Sequence, residues 1–457
     1  MATYELVIRG RRVVSPLLPG GIAPASVTVR GGRIADVGAH DALAAPDATV
    51  VDAGELVVMP GLVDTHVHVN EPGRTAWEGF ASATRAAAAG GVTALVDMPL
   101  NSIPATTSAA GLAAKIESTE GKLWIDVGFC GGVVPGNLGE LAQLRRAGVL
   151  AFKCFLTESG VAEFRSVREF DLRDAMRVLA DIDAPLLVHA ELDDPLLEGR
   201  TALTTRDDPR KYATYLLSRP KRAENEAVAF LVKLARELRS PVHVVHLSSA
   251  EALASIVAAR ERHVRISAET CPHYLHFAAE DIADGATEFK CAPPIREAHN
   301  RELLWAALGD GAIDQVVSDH SPCTSELKRI EDGDFMQAWG GISSLQLGLA
   351  VVWSEAARRG HTPVDVARWM CTAPAKLAGL AGRKGSIEPG CDADFVIWDP
   401  SANFTVDAAG LEHKNKLTPY AGRELLGLVR ETWLRGEKIY ERGRWLGGTC
   451  GRILRPT

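Results

Sequence analysis

Two histidines one residue apart close an apolar run, Pro60-Gly-Leu-Val-Asp-Thr-His66-Val-His68. The run reads as a buried strand. Side chains alternate along a strand, so His66 and His68 leave one face and can share a metal ion. Two imidazoles do not complete a coordination sphere, and further ligands must come from other strand ends. Val149-Leu-Ala-Phe-Lys153-Cys-Phe-Leu sets a lysine inside an apolar stretch, and Pro185-Leu-Leu-Val-His189-Ala-Glu ends near a histidine. Pro241-Val-His243-Val-Val-His246-Leu-Ser and Gln315-Val-Val-Ser-Asp319-His-Ser add more histidines and a carboxylate. Taken singly, each is better read as structure: a hydrogen-bonded histidine at a strand end, or a capping aspartate. Together, strand ends that supply His-x-His, Lys, His, His and Asp in chain order argue for one shared centre.

Four histidines, an aspartate and a lysine are too many for one hydrolytic ion and suit two. A protonated lysine cannot ligate, but a neutral amine in an apolar strand can take up CO2 as a carbamate, an anion able to bridge two cations. The other readings of Lys153 are a snorkelling surface lysine and a Schiff-base nucleophile.

The elements that must position these groups follow from the periodicity. Strand-like segments at 92–99, 124–131, 149–156, 185–191, 241–248, 264–271 and 315–321 alternate with Ala/Leu/Glu/Arg-rich helical ones, such as Phe80 to Ala89 before Gly90-Gly91. With the opening strand they make up the number of strands a (β/α)8 barrel requires, and ligands at the C-terminal ends of barrel strands converge on one mouth. A doubly wound open sheet is the runner-up, but its Gly-rich phosphate turn is missing. The stretches Tyr4 to Arg9, Ala25 to Arg30 and Arg33 to Gly38 read as short strands, and a similar texture returns at 385–399 and 432–440. Neither end can bury a face alone, so residues 1–55 and 385–457 are expected to form one discontinuous β-sandwich beside a barrel over 56–384.

At 457 residues the chain holds a substantial core, and its net charge of -8 carries no basic stripe for nucleic acid. The first residues lack a signal-peptide h-region and no stretch approaches a membrane span, so a soluble cytoplasmic protein is expected. The eight cysteines are scattered and contain no Cys-x-x-Cys pair, as fits reduced, mostly buried thiols.

The segments His66-Val-His68-Val-Asn-Glu-Pro-Gly, Phe152-Lys153-Cys-Phe, Val188-His189-Ala-Glu, Val245-His246-Leu-Ser, Glu269-Thr-Cys-Pro-His-Tyr and Ser318-Asp319-His-Ser-Pro resemble those of the cyclic amidohydrolases. That family includes hydantoinases, dihydropyrimidinases, dihydroorotases and allantoinases, and the resemblance spans nearly the whole chain. It implies that His66 and His68 bind the more buried of two divalent ions, Zn2+. Carbamylated Lys153 bridges, His189 and His246 bind the second ion, and Asp319 touches the first. His243, His273 and His320 match no family ligand and are read as structural. The implied chemistry is attack of a metal-bridging hydroxide on a ring amide, with Asp319 moving the proton to the leaving nitrogen. A homotetramer is implied too.

Within the family, dihydroorotases place a carboxylate-binding arginine where this chain has Asn70, and hydantoinases place a tyrosine near where it has Glu158. The stretches 70–79, 97–106, 290–296 and 338–342 resemble those of allantoinases, which implies ring opening of (S)-allantoin to allantoate, with hydantoinase or dihydropyrimidinase activity as the alternative. Ala292 and Trp339, in the Pro-Pro and Gly-Gly loops, are positional candidates for substrate contact through the backbone. Asn101 is a candidate for the ureido tail or else a turn residue. Some relatives have lost their ligands and serve as metal-free oligomeric interaction proteins; here all six ligand positions are filled.

Overall fold

A computed structural model describes residues 5–42 and 47–456. Tyr4, the first residue of the first expected strand, lies outside them. The N-terminal alternation is realised as β1 (Leu6–Val14), β2 (Ile22–Arg30), β3 (Arg33–Ala39), β4 (Thr49–Asp52) and β5 (Val57–Pro60). There follow β6 (Leu62–Val67), β7 (Val92–Asp97), β8 (Asp126–Gly132), β9 (Ala151–Phe155), β10 (Leu186–His189), β11 (Val242–Val244), β12 (Ile266–Thr270) and β13 (Gln315–Val316). The chain returns through β14 (Phe395–Thr405), β15 (Glu424–Leu434), β16 (Glu437–Glu441) and β17 (Arg444–Trp445).

Strands β6 to β13 pair in chain order in one eight-stranded sheet, every pair parallel. The two ends of that sheet meet: Val67 bridges to His320, and the His68 N–H donates to the His320 carbonyl at 2.8 Å. This is the (β/α)8 barrel, and its C-terminal mouth is where the strand ends converge. The helices between strands are amphipathic. In Glu169–Asp181 the buried residues are Leu172, Ala175, Met176 and Leu179, spaced three and four apart so that one stripe faces the barrel. The helix Phe80–Ala89 has the expected bounds, and Gly91 at φ 85° turns the chain out of it into β7.

Both termini enter one nine-stranded sheet, ordered β17-β16-β15-β14-β5-β1-β2-β3 with β4 alongside β1. The two ends pair through β5 and β14, antiparallel with Val58 opposite Ile397, so β5 joins this sheet although residue 56 is the expected start of the barrel. Leu6, Ile8, Val27, Phe395 and Trp433 form a core of this unit's own. Seven of the eight cysteines are buried and none is disulfide-bonded. Among the described residues no helix is long and apolar enough to cross a membrane.

Candidate active site

The six side chains singled out as ligands line one cavity of about 310 Å³ at the barrel mouth: His66, His68, Lys153, His189, His246 and Asp319. Each comes from a different strand end except the His-x-His pair. His66 lies on β6, Lys153 in the middle of β9 and His189 at the last position of β10, while His68, His246 and Asp319 stand just beyond the ends of β6, β11 and β13. His246 and Asp319 have φ of 39° and 43°, backbone that a non-glycine residue adopts at a cost of about 1–3 kcal/mol. Left-handed backbone at these two positions turns the chain away from the strand and leaves both side chains facing the cavity.

Asp319 Oδ1 lies 3.4 Å from His66 Nε2 and 3.6 Å from His68 Nε2. His189 Nδ1 and His246 Nε2 are 3.0 Å apart, forming a second cluster. Lys153 Nζ is buried and has no hydrogen-bond partner, and the same holds for His246 Nδ1. Burial pushes the Lys153 ammonium down to about 8. Burial also holds His68, His189 and His246 below the usual imidazole value, in the case of His189 against the pull of Glu191. These histidines are therefore neutral near pH 7, the state in which an imidazole ligates.

Carboxylates stand behind two of the rings. Glu269 Oε1 lies 2.6 Å from His66 Nδ1, and its other oxygen meets His243 Nε2 at 2.9 Å and accepts from Gln315 Nε2 at 3.0 Å. Glu191 Oε2 lies 2.7 Å from His189 Nε2, and Arg219 pairs with the same carboxylate. Burial alone would raise both acids, but the His243 and His66 rings hold Glu269 well below the carboxylate range, and Arg219 does the same for Glu191. A carboxylate of this kind fixes the tautomer and aims the other ring nitrogen forward. His243 thus supports Glu269, and His320, with Nε2 3.2 Å from Glu78 and Nδ1 accepting from the Ser344 N–H, braces a loop.

Of the candidate substrate contacts, Asn101, Glu158, Ala292 and Trp339 line the cavity and Asn70 does not. Asn70 is fully buried behind Asn101, accepting from its Nδ2 at 3.0 Å and donating to the Pro322 carbonyl. Asn101 and Asn70 both adopt positive φ, 68° and 65°, which asparagine tolerates better than most residues. The buried Asn101 Oδ1 has no partner in the fold. Glu158 sits exposed at the rim and accepts from Ser166 Oγ at 2.9 Å. Trp339 packs edge-on against Trp77 at 4.9 Å and sits in a loop whose carbonyls at Met336 and Ala338 accept from Lys290 Nζ.

The sequence model of the family described as Amidohydrolase family matches residues 57–437. The chain belongs to this family. The allantoinase of Streptomyces avermitilis is 52% identical over 99% of this chain and 99% of its own, and the allantoinase of Arabidopsis thaliana is 42% identical over 98% of this chain and 91% of its own. Among solved structures, the L-hydantoinase of Arthrobacter aurescens superposes with a TM-score of 0.92 at 29% identity, covering 99% of this chain and 100% of that one.

An amidohydrolase is a hydrolase that uses divalent metal, and the donor set fits that use. His66, His68 and Asp319 offer ligand atoms within 4.8 Å of one another, all buried. Glu269, Glu191 and Arg219 were not singled out from sequence. The signal for the acids was present, as carboxylates inside apolar strand ends at Ser267-Ala-Glu269 and His189-Ala-Glu191. Nothing local marked Arg219, which acts from 28 residues beyond Glu191.

Proposed function

We propose that this amidohydrolase opens the hydantoin ring of (S)-allantoin to give allantoate. One observation carries the reading: a complete set of candidate ligand side chains faces a single cavity, in a chain 52% identical to an allantoinase along its whole length. The hydantoinase alternative rests on structures whose identity is lower, 29% for the first. The filled ligand set also speaks against a metal-free interaction protein.

In this proposal His66, His68 and Asp319 would hold one divalent ion, His189 and His246 would hold a second, and a carbamate on Lys153 would supply an anionic ligand to both. The ions, Zn2+, would polarise the scissile carbonyl and make water acidic enough to attack it near neutral pH. The remaining steps belong to the chain. The Lys153 amine, depressed to about 8 and unpartnered, forms an Nζ–C bond to CO2 and releases a proton. Asp319 takes the proton of the attacking water and returns it to the departing ring nitrogen, its Oδ1 held by Ser321 Oγ at 2.7 Å. Asn101 offers its free Oδ1 to an N–H of the ureido tail. Asn70 acts by holding Asn101. Ala292 and Trp339 flank the ring through their loops, and Glu158 lies at the entrance.

The division into a terminal unit at 1–55 and 385–457 and a barrel at 56–384 belongs to the same proposal, as do a homotetramer, a cytoplasmic location and the lack of nucleic-acid or membrane partners. Turnover in 18O-labelled water tests the reaction. Allantoate carrying one solvent oxygen in its new carboxylate is expected, and unlabelled product or unchanged allantoin contradicts ring hydrolysis.

A further inference from the structure

Away from the ligand set, the cavity wall carries a buried lysine to which the proposed chemistry gives no part. Lys290 precedes the Cys291-Ala292-Pro293-Pro294 segment and lines the cavity beside Ala292, Ala338 and Trp339. Its Nζ donates to the carbonyls of Met336 and Ala338, in the loop that carries Trp339, and lies 5.1 Å from the centre of the Tyr215 ring. Its own carbonyl accepts twice, from the Gly341 N–H and from Lys328 Nζ, each at 2.9 Å. One residue thus takes hold of the 336–341 loop on both sides of Trp339, by its side chain at one end and its backbone at the other. The two loops also touch, since a Cβ at Gly340 would lie 3.7 Å from Ala292 N. Their neighbours are fastened to them: Tyr215 donates its O–H to the Cys291 carbonyl at 2.7 Å, and the Trp339 N–H donates to the Leu327 carbonyl at 2.8 Å, next to Lys328.

The charge of Lys290 separates it from a packing residue. Among the described residues neither Lys290 nor Lys328 forms an ion pair, although both are buried. Burial and the Lys328 ammonium push Lys290 down to about 7. An ammonium in such a place carries a desolvation cost that no counter-ion offsets, and a methionine would fill the space without it. The position therefore uses the N–H donors. Lys290 is the one protein donor to the Met336 and Ala338 carbonyls among the described residues, and the loop between them has no ladder to satisfy them.

We propose that Lys290 is a positioning residue for the substrate ring, clamping the 290–292 and 336–341 loops so that the backbones at Ala292 and Trp339 keep one spacing. The role given to the clamp rests on the reading that these two loops flank the ring. It leaves the ions and Asp319 to their own ligands and partners, because Lys290 bonds to none of them.

Steady-state kinetics of metal-loaded Lys290→Met on allantoin test the clamp. KM is expected to rise at least about tenfold while kcat stays within about threefold of wild type, because the residue holds the ring and not the reacting groups. Metal content should equal that of wild type. An unchanged KM, or a fall in kcat alone, overturns the proposal. Lys290→Ala adds a second readout, in which propylammonium in solution should recover part of the wild-type KM. Tetramethylammonium, which carries the charge without an N–H, should not, and equal effects of the two ions overturn a hydrogen-bonded clamp. Should neither variant fold, hydrogen exchange in wild-type protein decides. The Trp339 and Gly341 amides should be protected as well as those of β9, and exchange at the rate of exposed loop amides overturns the clamp. If wild-type protein turns over another ring in place of allantoin, the substrate reading fails, and the same KM comparison on that ring still judges Lys290.

Discussion

At the scale of the residue, the candidate site gathers four imidazoles, of which burial holds His68, His189 and His246 below their ordinary value, and a lysine whose ammonium burial pushes down. The histidines and the aspartate were legible because metal chemistry needs a short list of residue types at strand ends, and His66, Lys153, His189, His246 and Asp319 supply them in order. What was not legible is what holds them. Glu269 meets His66 across 203 residues of sequence, and Asn70 turns out to support Asn101 without reaching the cavity. No local pattern encodes a partner that distant. Lys153 gives the sharpest test at this scale. Lys153→Ala is expected to lose bound metal and more than about a hundredfold of activity, a larger effect than losing an outer partner of a ligand. A short carboxylic acid added in solution should restore part of both. A Schiff-base lysine would instead be trapped by borohydride in the presence of substrate and would be indifferent to chelator.

At the scale of the element, periodicity located every barrel strand but overstated its length. The stretch expected as a strand at 315–321 keeps ladder pairing only over Gln315–Val316, and the one at 241–248 only over Val242–Val244. Beyond those residues the chain stays apolar but leaves the ladder, because His246 and Asp319 take left-handed backbone that hydrophobicity does not reveal. The loops over the mouth are fixed as tightly as the strands. Gly341 has φ 147°, its N–H donates to the Lys290 carbonyl at 2.9 Å, and a Cβ there would lie 2.2 Å from the Ser321 carbonyl oxygen. Ser321 holds Asp319, and Trp339 sits two residues before Gly341. Gly341→Ala should therefore fold, retain metal and lose up to about a hundredfold in kcat/KM, the cost of misplacing reacting groups by about an ångström. Unchanged kinetics would show that this loop does not position the site.

At the scale of the molecule, the terminal sheet and the barrel are joined by a buried ion cluster. Lys384 Nζ meets Asp126, at the start of β8, at 2.7 Å, Asp392 at 3.0 Å and Asp394 at 2.6 Å, and Arg435 from the end of β15 pairs with Asp126 at 2.6 Å. The acids hold the Lys384 ammonium above its ordinary value although burial alone would lower it. Lys384→Met leaves three carboxylates short of a cation, and a loss of about 3–5 kcal/mol in unfolding free energy is expected. Denaturant midpoints of the two proteins measure it, and a difference below about 1 kcal/mol would show that the cluster does not hold the units together. The sequence foretold that the two ends would pair; it could not foretell these charges, which come from β8, the 384–394 segment and β15.

The central claim concerns the ring that this cavity opens. The decisive measurement is kcat/KM of metal-loaded protein on allantoin, hydantoin, dihydrouracil and dihydroorotate. Allantoin should exceed hydantoin by at least about tenfold, because in the proposed binding mode its ureido tail, which hydantoin lacks, pairs the otherwise unpartnered Asn101 oxygen. Dihydroorotate should be turned over least, since the chain position at which dihydroorotases carry a carboxylate-binding arginine holds Asn70, a neutral residue buried behind Asn101 that offers the cavity no positive charge. Equal turnover of hydantoin or dihydrouracil would contradict the assignment and move this amidohydrolase to the hydantoinase or dihydropyrimidinase reaction.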